Sequence, residues 1–216
     1  AEEMPLKPDI QAARNQLGIV SDVRVLTLMP GSRASEVDAL GRLFLDTANR
    51  CKESVTGLQL LIPAANDERR RQLERLLDEY PDLNCQLLSG QSHLAMCASD
   101  VVLLSSGTSA LEAMLLKKPM VVSYRIGKWT YALISRMLKV DWVSLPNLLA
   151  KEALVPELLQ DQTTVDNLVE AVNKFFLASD HVSQLQQHFA ELHQSLRHGG
   201  SDAAAASLST LIGTSG

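Results

Sequence analysis

Two short segments of this chain place a glycine and hydroxyl side chains directly after an apolar run, a composition typical of phosphate-binding turns. The first is residues 30–33, Pro-Gly-Ser-Arg, after residues 23–29, and the second is residues 105–109, Ser-Ser-Gly-Thr-Ser, after residues 101–104. A glycine allows an anion to approach the backbone, and a helix that begins there presents unpaired N–H groups and the positive end of its dipole. Two such turns side by side would hold a diphosphate.

The first turn supplies three candidate ligands: Gly31, Ser32 and Arg33. Arg33 carries a planar guanidinium that bridges two phosphate oxygens, which a lysine does less specifically. The alternative is an ordinary turn between a strand and a helix with an arginine at the surface, and the Pro-Gly-Ser-Arg pattern on its own favours that alternative. The second turn favours the phosphate-binding interpretation, because both turns follow predicted strands and therefore belong at the same edge of a sheet.

The second turn offers Ser106, Gly107, Thr108 and Ser109 as candidate phosphate ligands, with Glu112 one helical turn further on. Glu112 has two possible roles. In a Ser109-x-x-Glu112 capping box, its carboxylate would accept a hydrogen bond from the amide of the cap residue. As a ligand, it would accept hydrogen bonds from ribose hydroxyls, as acidic residues do in dinucleotide sites. The residue pattern leaves both roles open.

The elements that must position these residues alternate along the chain. Apolar runs bounded by turn residues or charges predict buried strands, and helical spacing, as in Val37, Leu40, Phe44 and Ala48, predicts helices between them. This alternation is typical of an α/β fold, a Rossmann-like parallel sheet flanked by helices, whose ligands bind beyond the carboxyl ends of the strands. The predicted strands are residues 23–29, 58–62, 83–88, 101–104 and 120–123.

The last third of the sequence is expected to be helical. Strand signals cease after Lys151, and amphipathic spacing predicts helices over residues 165–176 and 182–196, with an alanine-rich helix over residues 202–212. We therefore divide the chain into three parts: a linker (residues 1–9), a ligand-binding α/β domain (residues 10–178) and carboxyl-terminal helices (residues 179–216).

Composition limits the class of partner. The 216 residues are 46% hydrophobic and 21% charged, as in soluble globular proteins. The net charge of −5 argues against a general nucleic-acid binder, which is usually basic over a broad face. The three cysteines lack metal-binding spacing and are expected to be reduced and mostly buried, while the five histidines are expected at surface or cap positions. No serine hydrolase, zinc protease or P-loop motif occurs.

Residues 125–139, from Arg125 to Lys139, are basic and aromatic in an otherwise acidic chain, with four cations and no acid. This composition fits an interfacial helix attracted to anionic lipid or to an acylated substrate. It also fits a buried helix with solvated lysine ends, and the sequence slightly favours this second interpretation.

Four groups of residues resemble lipid-A-disaccharide synthase, in family order and spacing, from about residue 4 to about residue 197. The family joins UDP-2,3-diacylglucosamine to 2,3-diacylglucosamine 1-phosphate with inversion, giving a disaccharide and UDP. The resemblance implies the carboxyl-terminal, donor-binding domain of a glycosyltransferase of the GT-B type, which has two Rossmann-like domains. The matching segments are residues 28–37 (LMPGSRASEV), 103–112 (LLSSGTSALE), 118–125 (KPMVVSYR), and 143–150 (VSLPNLLA) with 156–160 (PELLQ).

The resemblance also implies roles for individual residues. Arg33 and the helix start at residues 106–109 would stabilise the leaving diphosphate, and Glu112 would hold the ribose. Asn147 would lie near the diphosphate or the reacting sugar, and Gln160 would help to line the same cleft. Uracil would contact backbone groups around residues 88–90 and 119–121. No cofactor or metal is implied, because Arg33 and two helix dipoles would disperse the charge of the leaving group.

The family places its acceptor cleft and its carboxylate base in an amino-terminal half that none of these 216 residues resembles. By this resemblance, the chain alone would bind UDP or its acyl-sugar conjugate weakly and would catalyse little. It would be cytoplasmic and peripheral to the inner membrane through residues 125–139, with possible self-association through residues 202–212. Two alternatives remain: a relative that acts on UDP-N-acetylglucosamine, as a transferase or an epimerase, and a nucleotide-binding module without catalysis.

Overall fold

A parallel sheet lies at the centre of the protein. The structure is a computed structural model that describes residues 4–125 and 142–198. All five predicted strands are present and parallel, which confirms the predicted fold class. The strands are β1 (Val25–Met29), β2 (Gln59–Ala64), β3 (Cys85–Ser89), β4 (Val101–Ser105), β5 (Met120–Tyr124) and β6 (Glu157–Leu159). Within the described residues these six strands form one sheet in the order β3-β2-β1-β4-β5-β6.

Helices cover both faces of the sheet. On one face α2 packs against α3 and α7, and on the other α1 packs against α4, while α5 packs against α6 and α8. The predicted helix over residues 202–212 lies outside the described residues. The helices are α1 (Ile10–Gln16), α2 (Ala34–Cys51), α3 (Asp67–Leu77), α4 (Ser92–Ala98), α5 (Thr108–Leu115), α6 (Leu145–Ala150), α7 (Val165–Leu177) and α8 (Ser179–His198), with a 3₁₀ turn at Gln160–Gln162.

The core lies between the sheet and these helices. The first four residues of β1, β4 and β5 are buried, as expected for strands covered on both faces. Val37, Leu40, Phe44 and Ala48 of α2 are all buried, which confirms the predicted apolar face. Each buried side chain of leucine size contributes about 1.5–3 kcal/mol to folding.

Strand β6 corrects the expectation that strands end before Lys151. It pairs with β5 in parallel, with Val122 opposite Glu157. The strand has only three residues and begins with a charged one, so its sequence carries no strand signal. Its formation depends on distant partners, because the Glu157 carboxylate accepts hydrogen bonds from the Val143 amide (2.8 Å), the Ser144 amide (2.9 Å) and the Asn147 side-chain amide (2.8 Å).

The histidine expectation is wrong for His193. Its side chain on α8 is fully buried, and its Nδ1 lies 2.5 Å from Nζ of Lys117, just beyond the end of α5. Leu185 and Phe189 of the same helix belong to the main core, so α8 packs on the α/β domain. The division of the chain at residue 178 stays a prediction.

An ion pair between the buried Arg14 and the partly exposed Asp100 fixes the amino ends of the two central strands. The Asp100 carboxylate accepts hydrogen bonds from the Val25 amide (2.8 Å) and from Nη2 of Arg14 (2.9 Å). Arg14 on α1 also donates to the carbonyls of Ala98 (3.0 Å) and Ser21 (2.7 Å). These bonds hold the starts of β1 and β4 together, and they thereby align the opposite ends, where the two candidate turns lie.

Candidate functional site

The two glycine turns lie side by side at the carboxyl edge of the sheet. β1 pairs with β4, with Met29 opposite Leu104, and each turn begins within two residues of that pair. The chain runs from β1 outwards to β3 and then returns to β4, so the strand order reverses between β1 and β4. In open α/β sheets this point of reversal is the place where ligands bind. The structure therefore brings together the two segments that the sequence singled out.

A carboxylate occupies the first turn. Oε2 of Glu36 accepts hydrogen bonds from the backbone amides of Ser32 (2.9 Å) and Arg33 (3.0 Å), as in a capping box. Glu36 was not among the site residues predicted from the sequence, although its position three residues after the cap residue Arg33 is the position that capping-box glutamates take. Two of the amides that would face an anion are thus already used within the protein.

Gly31 is required by this arrangement. Its φ is +127°, a conformation that other residues adopt only with strain, and a Cβ placed there would lie 2.4 Å from Oε2 of Glu36. The glycine therefore makes room for the protein's own carboxylate, in addition to any role it has in admitting a ligand.

Arg33 points its side chain into solvent. The side chain is 81% exposed, and its Nη1 lies 3.8 Å from Oε1 of Glu36. A contact of this length between exposed groups is weak, so the guanidinium is available to an incoming anion.

The second turn is open. Gly107 is the cap residue of α5, and within the described residues no side chain caps this helix. A Cβ on Gly107 would meet no atom within 4 Å, so there is free space beside the backbone. The Ser106 amide donates to the Ser123 carbonyl (3.1 Å), which fixes the turn to β5. This geometry combines free amides, space and the positive end of a helix dipole.

The structure excludes the capping-box role of Glu112. Because α5 begins at Thr108, Ser109 lies inside the helix and is not its cap residue. Oε2 of Glu112 instead lies 3.2 Å from Nε2 of His93, at the start of α4. The side chains of Glu112 and His93 are 34% and 56% exposed. His93 is a second residue that sequence reasoning missed, since no local pattern connects it to Glu112.

Asn147 and Gln160 differ in their surroundings. Asn147 is buried, its Oδ1 accepts from the Val155 amide (2.9 Å), and its Nδ2 donates to the Val155 carbonyl (3.0 Å) as well as to Glu157. Gln160 is partly exposed and follows the carboxyl end of β6 directly, with a φ of +49°. Asn147 thus fixes the segment before β6, whereas Gln160 lies at the ligand edge of the sheet.

A cavity of about 440 Å³ lies beside β6, and the residues that line it fall between positions 142 and 181, after both glycine turns in the chain. Asn147 and Glu157 line it, together with Lys174 and His181 at the junction of α7 and α8. None of the residues of the two glycine turns lines this cavity. The cavity is therefore separate from the two turns.

The three cysteines were expected to be mostly buried, but only Cys51 is buried, while Cys85 and Cys97 are partly exposed. All three are free, and burial raises the pKa of the Cys51 and Cys85 thiols to about 12 and also raises that of Cys97. Such thiols are poor nucleophiles and metal ligands. Within residues 4–125 and 142–198 no group of side chains could hold a metal ion, and no helix there is both long and apolar enough to span a bilayer. Residues 126–139 of the basic stretch lie outside the described residues.

Comparison with known families decides the assignment. Residues 1–209 match the family model described as lipid-A-disaccharide synthetase. The chain belongs to this lipid-A-disaccharide synthase family. It is 45% identical over 212 residues to the lipid-A-disaccharide synthase of Alcanivorax borkumensis and 47% identical over 213 residues to that of Pseudomonas fluorescens. The matches cover 98–99% of this chain and 55% of each relative, so the chain spans about half the length of the synthases that it matches.

Solved structures agree on the fold. WaaG, a glycosyltransferase involved in lipopolysaccharide biosynthesis, superposes with a TM-score of 0.59 at 17% identity, over 88% of this chain and 48% of that one. The C-terminal CMP-Kdo binding domain of WaaA from Acinetobacter baumannii gives a TM-score of 0.57 at 16% identity, over 86% of this chain and 97% of that domain. The chain therefore has the Rossmann-like fold expected for a GT-B carboxyl-terminal domain.

Proposed function

We propose that this chain is the donor-binding part of a lipid-A-disaccharide synthase and binds UDP-2,3-diacylglucosamine at the switch point between β1 and β4. The observation that carries the proposal is the placement of both glycine turns at that point, one of them with uncapped helix amides. Family membership supports the identity of the ligand.

The diphosphate binds mainly at the start of α5. The amides after Gly107 and the hydroxyls of Thr108 and Ser109 act on one side, with Ser106 fixing the turn. The exposed guanidinium of Arg33 approaches from the neighbouring turn, where Gly31 and Ser32 shape the backbone. As the bond between sugar and phosphate breaks, negative charge accumulates on the leaving UDP, and this arrangement stabilises that charge without a metal.

The remaining residues hold the rest of the donor. Glu112 accepts hydrogen bonds from the ribose hydroxyls, and backbone groups near residues 88–90 and 119–121 contact uracil. Gln160, at the carboxyl end of β6, lines the side where the sugar would lie. Asn147 acts indirectly, because its amide atoms are already bonded to Val155 and Glu157 and so shape the cleft wall.

Transfer requires groups that this chain does not supply. In the proposed reaction a base removes a proton from the acceptor hydroxyl of 2,3-diacylglucosamine 1-phosphate, and the oxygen attacks the anomeric carbon with inversion. We assign the base and the acceptor cleft to the part of the relatives' length that this chain does not cover. Cytoplasmic location, contact with the inner membrane through residues 125–139, and self-association through residues 202–212 belong to the same proposal.

Calorimetric titration of UDP into the chain tests the donor site. Arg33→Ala is expected to weaken UDP binding about 10- to 100-fold, because hydrogen bonds to charged groups contribute about 1.5–3 kcal/mol. Glu112→Ala is expected to weaken it about tenfold through loss of the ribose contacts. Arg75→Ala on α3 and Glu170→Ala on α7 are matched controls, since both side chains are exposed on other helices and leave the affinity unchanged.

Two outcomes would contradict the proposal. Absence of binding by the wild-type chain up to millimolar UDP would remove the donor site. Formation of disaccharide by the chain alone, at a rate similar to that of a whole synthase, would refute the assignment of the base to another part of the protein. Addition of the amino-terminal half of a relative is expected to restore transfer.

A further inference from the structure

We propose that His93 is a positioning residue for ribose recognition: it holds one oxygen of the Glu112 carboxylate so that the other faces the nucleotide. The inference rests on the proposed function, since it concerns how Glu112 binds the donor. It adds a residue of α4, an element in which the sequence predicted no site residue.

The imidazole of His93 and the carboxylate of Glu112 are in direct contact. Nε2 of His93 lies 3.2 Å from Oε2 of Glu112, between the second residue of α4 and the fifth residue of α5. A carboxylate has two oxygens that accept hydrogen bonds, so a Glu112 side chain held by the imidazole still has acceptor capacity for the vicinal hydroxyls of a ribose. Without His93, the Glu112 side chain would rotate among several conformations, and binding would have to restrict them.

The backbone before His93 supports a fixed position for the imidazole. Gly90 and Gln91 both have positive φ, +64° and +58°, which turns the chain sharply from β3 into α4. The Gly90 amide donates to the Ala64 carbonyl at the end of β2 with a short distance of 2.7 Å. The start of α4 is thus anchored to the carboxyl edge of the sheet, on the side where the ligand is expected.

The place of His93 along the chain also fits this role. It follows residues 88–90, the segment proposed to contact uracil, by three positions, and it contacts Glu112, the residue proposed to contact ribose. A nucleoside presents its base and its ribose next to each other. His93 therefore lies at the junction between the two proposed contacts, which an unrelated surface histidine would do only by coincidence.

The stability of the fold does not explain this pair. Both side chains are partly exposed to solvent, and exposed pairs contribute little to stability. We therefore expect His93→Ala to leave the melting temperature unchanged within about one degree. A change in ligand affinity without a change in stability would separate positioning from a structural role.

The experiment compares UDP with 2′,3′-dideoxy-UDP, which lacks both ribose hydroxyls, by calorimetry on the whole chain. His93→Ala is expected to weaken UDP binding about three- to tenfold and to leave dideoxy-UDP binding within about twofold of wild type. His93→Gln, which keeps an N–H donor of similar reach, is expected to restore most of the UDP affinity. His188→Ala, an exposed histidine on α8, is the matched control and is expected to change neither affinity.

The double variant His93→Ala/Glu112→Ala tests the coupling. It is expected to bind UDP no more weakly than Glu112→Ala alone, because His93 acts through Glu112. Additive losses, or equal losses for UDP and dideoxy-UDP, would overturn the role of His93. If Glu112→Ala weakens UDP binding but His93→Ala does not, only this inference fails. If the wild-type chain binds no UDP, the donor site and the role of His93 both fail.

Discussion

The two glycine turns resemble each other in sequence but differ in how their helix amides are used. In the α2 turn the Glu36 carboxylate accepts from two amides and lies against Gly31, whereas the α5 turn has no side-chain cap among the described residues and has free space beside Gly107. An anion that approaches both turns meets a carboxylate at one and free N–H groups at the other. The comparison teaches that a glycine turn before a helix offers its amides to an anion only when the protein leaves those amides unsatisfied.

The largest expected effect is on the stability of the protein and comes from the α2 turn, residues 30–33, whose amides are bonded to Glu36. Gly31→Ala would force an alanine to φ +127° and place its Cβ 2.4 Å from Oε2 of Glu36, so we expect a loss of about 3–4 kcal/mol in the free energy of unfolding. Urea denaturation measures this. Gly18→Ala is the control, because its φ is +68° but its Cβ would meet no atom within 4 Å, and we expect it to cost only about 1–2 kcal/mol. Equal losses in the two variants would show that Glu36 does not crowd Gly31.

The second largest effect is expected in the pH dependence of stability, and it arises from Lys118 near the carboxyl end of α5. Lys118 lies buried just beyond this helix and donates to the Ser99 carbonyl (2.8 Å), and burial lowers its pKa from 10.5 to about 8. Between these values the unfolded chain binds a proton that the folded protein does not. The contribution of Lys118 to the free energy of unfolding therefore rises by up to about 3 kcal/mol as the pH increases from about 8 to about 10.5.

The test of the Lys118 prediction is the difference between the wild type and Lys118→Met. The cysteine thiols titrate in the opposite sense, because their pKa values are raised in the folded state, and the difference removes their contribution. We expect the stability of Lys118→Met relative to wild type to decrease as the pH rises through this window. A difference that is constant from pH 7 to 10.5 would show that Lys118 keeps an ordinary pKa.

The smallest effect is expected from a substitution that frees the amides of the α2 turn, so that it resembles the α5 turn. Glu36→Ala removes the carboxylate from the amides of Ser32 and Arg33, at a cost of about 1 kcal/mol in stability from the lost cap. Freed amides and the removal of a negative charge are expected to raise UDP affinity about threefold. Glu36→Gln serves as the companion variant, since it removes the charge but keeps an acceptor oxygen. Weaker UDP binding in both variants would mean that the capped form of the turn is the one that binds.

Local sequence patterns were sufficient for the central elements of the fold. Five strands and the apolar face of α2 were predicted because continuous apolar runs and helical spacing are properties of neighbouring residues. The same is true of the two turns, whose convergence follows from the rule that ligands bind at the carboxyl edge of such a sheet. The family and its fold are confirmed, while the roles of the individual site residues stay predictions.

Features that depend on distant partners escaped the sequence analysis. Strand β6 forms around the charge of Glu157, which is satisfied by groups 10 to 14 residues earlier in the chain. His193 is buried against Lys117, 76 residues away. The contact between His93 and Glu112 joins two helices that no periodicity relates. In each case a polar group lies where it does because of a tertiary contact, which a local pattern does not encode.

The brevity of β6 has a consequence for how the protein behaves at high concentration. The last strand of a sheet presents unpaired N–H and C=O groups to which a strand of another molecule can add, and long flat edges therefore promote aggregation. Within the described residues that edge is only three residues long, and the chain leaves it at once through the 3₁₀ turn at Gln160–Gln162. A foreign strand would find few groups to pair with, so this side of the sheet is protected against edge-to-edge aggregation by its length alone.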